Sequence, residues 1–210
     1  LKQLYVLDAI DESGKITQIG KEMAPLPLEP NLARAMLEAK KLWCVEECAT
    51  VAAMLSVDRL EVADSSSHKN SRDHHRGNPL QKIVSADAFA LGDHIVFLRT
   101  FERWQRERYR RDFAREYSLS ERGLEFAKEV RRQLLESMRS LDDNDFVSSK
   151  RSREEEEQYN KKSERSRTKN LRKALAKGFI SKVARRGSAS NCFKTFAFET
   201  KTLTEVHPSS

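Results

Sequence analysis

Glycine is scarce in this chain and proline scarcer: 210 residues contain seven glycines and five prolines. The glycines, Gly14, Gly20, Gly77, Gly92, Gly123, Gly178 and Gly187, stand far apart. No glycine-rich loop of the Walker type can be built from them, so nucleotide hydrolysis by this chain has no physical basis in its sequence. Cysteine is equally thin. Cys44, Cys48 and Cys192 are an odd number and fit a reducing compartment better than a disulfide framework. No apolar run approaches the roughly 20 residues that a bilayer-spanning helix needs. The opening residue is Leu1, with no basic-apolar-small layout of a signal peptide, and the chain reads as a piece of a longer protein. No serine, histidine and acid fall in a nucleophile-elbow context, so the chain reads as non-catalytic.

Charge is abundant. Charged residues make up 34% of the chain, hydrophobic residues 38%, and the formal net charge is +7, which favours polyanionic partners. Arginine crowds one stretch, with Arg99, Arg103, Arg106, Arg108, Arg110, Arg111 and Arg115 facing Glu102, Glu107 and Asp112. The planar guanidinium suits forked contacts to phosphate, and a solvated helix face is the competing explanation.

Three of the five prolines, Pro25, Pro27 and Pro30, fall within "MAPLPLEPNLARAM". Each removes an amide donor and restricts the residue before it, so helix is forbidden until Pro30, which is tolerated in a first turn. The segment reads as a rigid strap that sets the angle between two helices. Before it, Asp11-Glu12-Ser13-Gly14 makes a turn and Thr17 caps a short helix through Met23. After it, Leu32, Ala35 or Met36, Ala39 and Trp43 share a face, and Cys48, Val51, Ala52 and Leu55 repeat the spacing. Cys44 and Cys48 are four apart, which suits a metal face. No second pair accompanies them, and core cysteines are the better reading.

Residues 61–88, with "ADSSSHKNSRDHHRGNP" at their heart, are polar and read as a flexible loop or linker. His68, His74 and His75 there lack partners at ligand spacing and read as solvated rather than metal-binding. Asp93 is expected to cap a helix carrying Phe97, Phe101 and Trp104, and Ser120 another carrying Leu124, Ala127, Leu134, Met138 and Leu141. The tract near 148–169 is charged on every side and reads as solvated helix or disorder. A short helix, Leu171 to Lys177, is expected to end at Gly178 in a left-handed terminator. The tail alternates over Phe193 to Phe198 and suggests two short strands, the start of a sheet.

These residues resemble the C-terminal auxiliary region of DEAH-box RNA helicases. The features that carry the likeness begin with Leu7-Asp8-Ala9-Ile10, Gly14, Ile16-Thr17, Gly20, Met23-Ala24, Pro27-Leu28, Pro30, Cys44 and Ala53-Met54-Leu55-Ser56. They continue with Gly92-Asp93-His94, Val130-Arg131-Arg132-Gln133-Leu134, Ala174-Leu175, Gly178-Phe179, Ala184 and His207-Pro208-Ser209-Ser210. Phe113-Ala114 depart from the family's tryptophan-cysteine pair, and the motor domains are absent.

The resemblance implies a mainly α fold: a winged-helix region over 1–60, the linker 61–88, a helical ratchet region over 89–184, and the first strands of a truncated OB-fold over 185–210. It further implies an RNA-binding auxiliary segment that helps to enclose single-stranded RNA for ATP-driven unwinding or RNP remodelling, such as pre-mRNA splicing. ATP and Mg2+ belong to the missing motor domains, with no cofactor in this chain. The partners implied are single-stranded RNA, the motor domains and a G-patch activator, with no membrane and with a nuclear rather than cytoplasmic setting. On that analogy Arg122, Arg131 and Arg132 are candidate RNA contacts. His94, at a helix N-terminus, and His207, Ser209 and Ser210, in a strand loop, are candidates too. Each is equally readable as a cap, a core hydrogen bond or a solvated charge. The alternative function is a protein-interaction module that recruits activators, with RNA incidental.

Overall fold

The computed structural model describes residues 1–58, 60, 79–144, 164–186, 193–197 and 202–206. They fall into two compact units, one made of Leu1–Trp43 with Lys169–Ser210, the other of Cys44–Thr168. This partition differs from the blocks suggested by the sequence, because the chain returns to its first unit after residue 168.

In the first unit, α1 (Lys2–Val6) is followed by the Asp11 turn, α2 (Gln18–Met23) and α3 (Pro30–Leu42). Asp11 Oδ1 accepts from the Ser13 and Lys15 amides, each at 2.9 Å, and from the Ser13 hydroxyl at 2.7 Å. Those bonds hold the Asp11 carboxyl below its ordinary range, the Ser13 hydroxyl foremost. Thr17 Oγ1 accepts from the Gly20 amide at 3.0 Å, the cap expected of it. Pro30 occupies the first turn of α3. Leu26, from the strap, and Leu32, Ala35, Met36 and Ala39, from α3, are buried together in the core. The helix ends one residue short of Trp43, which turns into the left-handed region (φ 61°) instead of extending the apolar face.

The same unit receives α9 (Glu164–Gly178) from Lys169 onward, with Leu171 and Ala174 fully buried. The helix is longer than expected at its N-terminal end. Gly178 is also not the left-handed terminator that was expected, since the only described glycines with positive φ are Gly14 and Gly92. Its role is close approach. A Cβ there would lie 2.2 Å from the Asn31 carbonyl oxygen and 2.8 Å from Ala35 Cβ, so α9 can meet α3 only with hydrogen at this position.

Beyond it, β1 (Ala184–Arg186), β2 (Phe193–Ala197) and β3 (Thr202–Val206) form an antiparallel sheet in that order. Lys194 pairs with Arg185 on one side and with Glu205 on the other. The alternating pattern pointed to β2 and its neighbour. The three-residue β1 carried no pattern long enough to see.

In the second unit, α4 (Val45–Leu55) packs on both α6 (Asp93–Arg106) and α8 (Glu121–Asn144). The short helices α5 (Ala86–Phe89) and α7 (Arg111–Glu116) pack on α6 and α8 respectively. Cys44 and Cys48 are buried, and burial, foremost, pushes the Cys48 thiol far above its ordinary range. Leu55, expected on the apolar face of α4, is exposed. Part of the expected linker is structured: Pro79–Lys82 is a 3-10 turn, and Leu80, Ile83, Val84 and Ala88 are buried. Apolar residues after position 79 explain the difference, since they have a core to enter. The linker histidines and most of the charged tract lie outside the described residues.

Gly92 (φ 98°), not Asp93, caps α6; Asp93 is its first helical residue. Ser120 does cap α8, accepting from the Gly123 amide at 3.0 Å. Leu124, Ala127, Leu134 and Met138 are buried along one side of α8, as their spacing predicts. Phe113 is fully buried and tilted against Tyr117 with ring centroids 4.8 Å apart, so the departure at Phe113-Ala114 fills its site.

Candidate nucleic-acid interface

The arginine-rich stretch is not one helix face. Helix α6 ends at Arg106, and Arg108 (φ 55°) and Tyr109 (φ 56°) then turn the chain through the left-handed region. Most of its guanidinium groups are already engaged. Arg99 pairs with Glu102 at 2.6 Å and Glu164 at 2.7 Å, and donates to Thr168 Oγ1 at 3.1 Å. Arg103 donates to the Ile83 carbonyl at 3.1 Å and the Tyr117 hydroxyl at 2.9 Å, and pairs with Glu107 at 3.3 Å. Arg110 is held between Glu107 and Glu116. Glu164 lies too far along the chain to be counted against the cluster by sequence inspection, whereas Glu116 directly follows Arg115 and was left out of the count.

The candidates on α8 separate sharply. Arg131 points into the unit: its Nε donates to Thr50 Oγ1 at 2.9 Å, and Nη2 lies 3.4 Å from Glu46 Oε2. The same guanidinium lies over the Phe101 ring at 5.9 Å, so Arg131 links α8 to α4 and α6. Arg132 faces solvent between two acids one turn away on either side, Glu129 and Glu136. The hydrogen bond from Arg132, foremost, holds the Glu129 carboxyl down at about 2, and the same contacts raise the guanidinium above its ordinary value. Arg122 is exposed, and no hydrogen bond or ion pair with another described residue engages it.

His94 lies in the first turn of α6, partly buried, and burial pulls its imidazole below the ordinary histidine value while Asp93 opposes the shift. His207, Ser209 and Ser210 lie outside the described residues. The structure therefore gathers Arg122, Arg131 and Arg132 on one helix and, of these three, leaves Arg122 alone unengaged by another described residue.

Sequence inspection passed over Arg34. It is 3% exposed, with Nε donating to the Leu7 carbonyl at 3.1 Å, Nη1 paired with Glu38 at 3.2 Å and Nη2 with Asp8 at 3.5 Å. Asp8 in turn receives Lys177 Nζ at 3.2 Å. An arginine four residues before a glutamate was the available signal, but Asp8 is separated from it by the whole strap. Among the described residues no group of three His, Cys, Asp or Glu side chains is placed to hold a metal ion, and no helix is long and apolar enough to cross a membrane.

Comparison with known proteins fits this helical arrangement. Residues 1–28 match the winged-helix part of the helicase associated domain (HA2), and residues 29–97 match its ratchet-like part. This chain carries a helicase-associated region. The family boundary at 28/29 falls inside the proline strap, whereas the block read from sequence ran to residue 60. Over 209 residues the chain is 28% identical to the pre-mRNA-splicing factor ATP-dependent RNA helicase prp22 of Schizosaccharomyces pombe. That match covers all of this chain and 16% of the relative, so the chain spans about a sixth of the curated relative's length.

Proposed function

We propose that the chain is an auxiliary RNA-binding segment of a DEAH-box RNA helicase, working beside motor domains that bind ATP and Mg2+ and helping to enclose single-stranded RNA. The observation that carries this reading is the likeness to a splicing helicase along the whole chain, over a region whose first 97 residues match helicase-associated domains. It supports RNP remodelling in pre-mRNA splicing as the process and the nucleus as the place. A net charge of +7 and the unengaged Arg122 suit an RNA backbone. His94 and Arg122 are the described contacts this reading favours. Arg131 and Arg132 would first have to leave their acidic partners. His207, Ser209 and Ser210, outside the described residues, complete the set, and the strands before them begin an OB-fold in this proposal.

The test is fluorescence anisotropy of the purified chain with labelled single-stranded RNA across a salt series. Micromolar or weaker binding that falls steeply with salt is expected. Salt-insensitive binding, or none at low salt, overturns the reading.

One observation favours a second reading, recruitment of an activator such as a G-patch protein. The first unit carries a groove of about 730 Å³ lined by Tyr5, Val6, Ile10, Thr17 and Ile180 among others, with Tyr5 and Ile180 exposed. Binding of a glycine-rich helical activator peptide to the chain, lost in Tyr5→Ser with RNA affinity unchanged, would support it. Undiminished peptide binding by Tyr5→Ser would exclude this groove.

A further inference from the structure

The outward face of α8 is unlike the rest of that helix. Phe126 is 52% exposed, whereas Leu124, Leu134 and Met138 of α8 are almost fully buried and Val130, Leu135 and Leu141 are half-buried. Residues 122, 126, 129 and 133 recur at helical spacing, so Arg122, Phe126, Glu129 and Gln133 form one stripe opposite the buried one. An acid inside such a stripe should repel a polyanion. Here that charge is partly answered: Arg132, which Glu129 shares with Glu136, donates to both Glu129 oxygens, at 2.9 and 2.5 Å, and Gln133 Nε2 donates at 2.9 Å. What the stripe presents is an uncovered aromatic ring, a guanidinium with no ionic partner among the described residues, and an acid held by Arg132 and Gln133.

We propose that Phe126 is a base-stacking platform for single-stranded RNA and that Arg122, one turn earlier, holds the adjoining phosphate. This rests on the RNA-binding reading above and adds to it the ring that contacts a base. Single-stranded nucleic acid is the occupant that suits both halves of the patch. Any base has a π-face to lay on the ring, and the following phosphate needs an unengaged cation. A protein partner docking through an apolar face would be expected to find several exposed apolar residues in the stripe, whereas its other members are polar or charged. Stacking of this kind is indifferent to sequence, so the stripe would grip RNA without selecting it.

The test compares a labelled single-stranded oligouridylate with an abasic ribose-phosphate strand of equal length, binding to the full chain. Phe126→Leu should weaken the uridylate about 5- to 150-fold, the equivalent of about 1–3 kcal/mol for one stacked base, and leave the abasic strand unchanged. Phe126→Trp should restore the affinity. Arg122→Gln should weaken both strands and reduce the slope of log affinity against log salt by about 0.7. Far-UV circular dichroism on each variant separates lost binding from lost folding, and Phe126 is exposed enough that neither replacement should unfold α8. If the unaltered chain binds uridylate and Phe126→Leu binds it equally well, the stacking role is wrong and the RNA-binding reading stands. If the unaltered chain binds neither strand at low salt, both are wrong. Equal weakening of the two strands by Phe126→Leu also overturns stacking, because a base-free strand has nothing to stack.

Discussion

Arginine is used in opposite ways in the two units. In the first, Arg34 is enclosed and its guanidinium meets a backbone carbonyl and two carboxylates, with Lys177 closing the network through Asp8. In the second, arginines are many and sit at or near the boundary with water, most of them satisfied by acids, a hydroxyl or a backbone carbonyl, with Arg122 as an exception. The same residue type is a structural pin in one place and a lightly held surface charge in the other. Net charge therefore overstates what is available to a polyanion. What matters is how many cations remain unpaired after folding, and the exposed, unengaged Arg122 matters more than the crowded stretch from Arg99 to Arg115.

The largest effect expected from breaking this contrast is at Arg34. Arg34→Met removes three polar contacts from a site with almost no access to water. It leaves the Leu7 carbonyl unsatisfied, while Asp8 and Glu38 are exposed enough to recover hydration. A loss of about 2–4 kcal/mol is expected, smaller than for a pair buried on both sides. Because the chain has two compact units, a single unfolding free energy need not describe it. Hydrogen exchange read by mass spectrometry is the suitable measurement: protection should fall across residues 1–43 and hold across 93–144. Equal loss in both spans would mean that the Arg34 network does not belong to one unit.

Gly178→Ala ranks next. The added methyl would sit 2.2 Å from the Asn31 carbonyl oxygen, and backbone atoms cannot step aside as a side-chain tip can. The overpacking is expected to cost about 1–3 kcal/mol, again read in the first unit, even though alanine has the higher helix propensity. If Gly178 were a left-handed terminator the substitution would also destabilise, but through its φ angle. The distinguishing variant is Gly178→Asn, which tolerates a left-handed site and should here be worse than alanine.

These two positions show what could be read from the chain and what could not. The cap at Thr17, the strap ending on Pro30, the apolar stripe of α8 and the strand at Phe193 depend on neighbours in sequence, and all are legible there. Gly178 was legible as a helix end, but its reason lies in α3, far away along the chain. Arg34 was passed over, because two of its three partners, the Leu7 carbonyl and Asp8, lie on the far side of the proline strap. Of the four candidate site residues that are described, the local pattern placed all on helices. The spacing of the apolar stripe already sets Arg131 on the buried face, between Ala127 and Leu134, and Arg122 off it; what it could not supply is the partner on α4, Thr50.

Arg131 sharpens the comparison from the other side. Its guanidinium is 18% exposed and Glu46 is far more so, which screens their attraction. Most of the value should come from the Thr50 hydrogen bond and the stacking over Phe101. Arg131→Met is expected to lose about 1–2 kcal/mol, seen as faster exchange in α4 and α8. It should leave the salt dependence of RNA binding unchanged, because the charge removed is not one that a phosphate reaches. A reduced salt slope in this variant would show that Arg131 leaves Thr50 when RNA binds.

The smallest effect belongs to His94, and its sign can be worked out. Burial lowers the imidazole's pKa in the folded chain below its ordinary value of 6.5, with Asp93 resisting. The unfolded state then binds a proton at a higher pH than the folded state does. As pH falls below the ordinary histidine range, protonation favours unfolding, and stability declines until the folded pKa is reached. Above about pH 7.5 both states are neutral and the dependence vanishes. His94→Gln should therefore flatten the stability profile between about pH 5 and 7 and leave its alkaline side unaltered. An NMR titration of the His94 ring with a midpoint above 6.5 would reverse the sign. It would mean that Asp93 outweighs burial, leaving a charged imidazole at the start of α6 to meet any phosphate there.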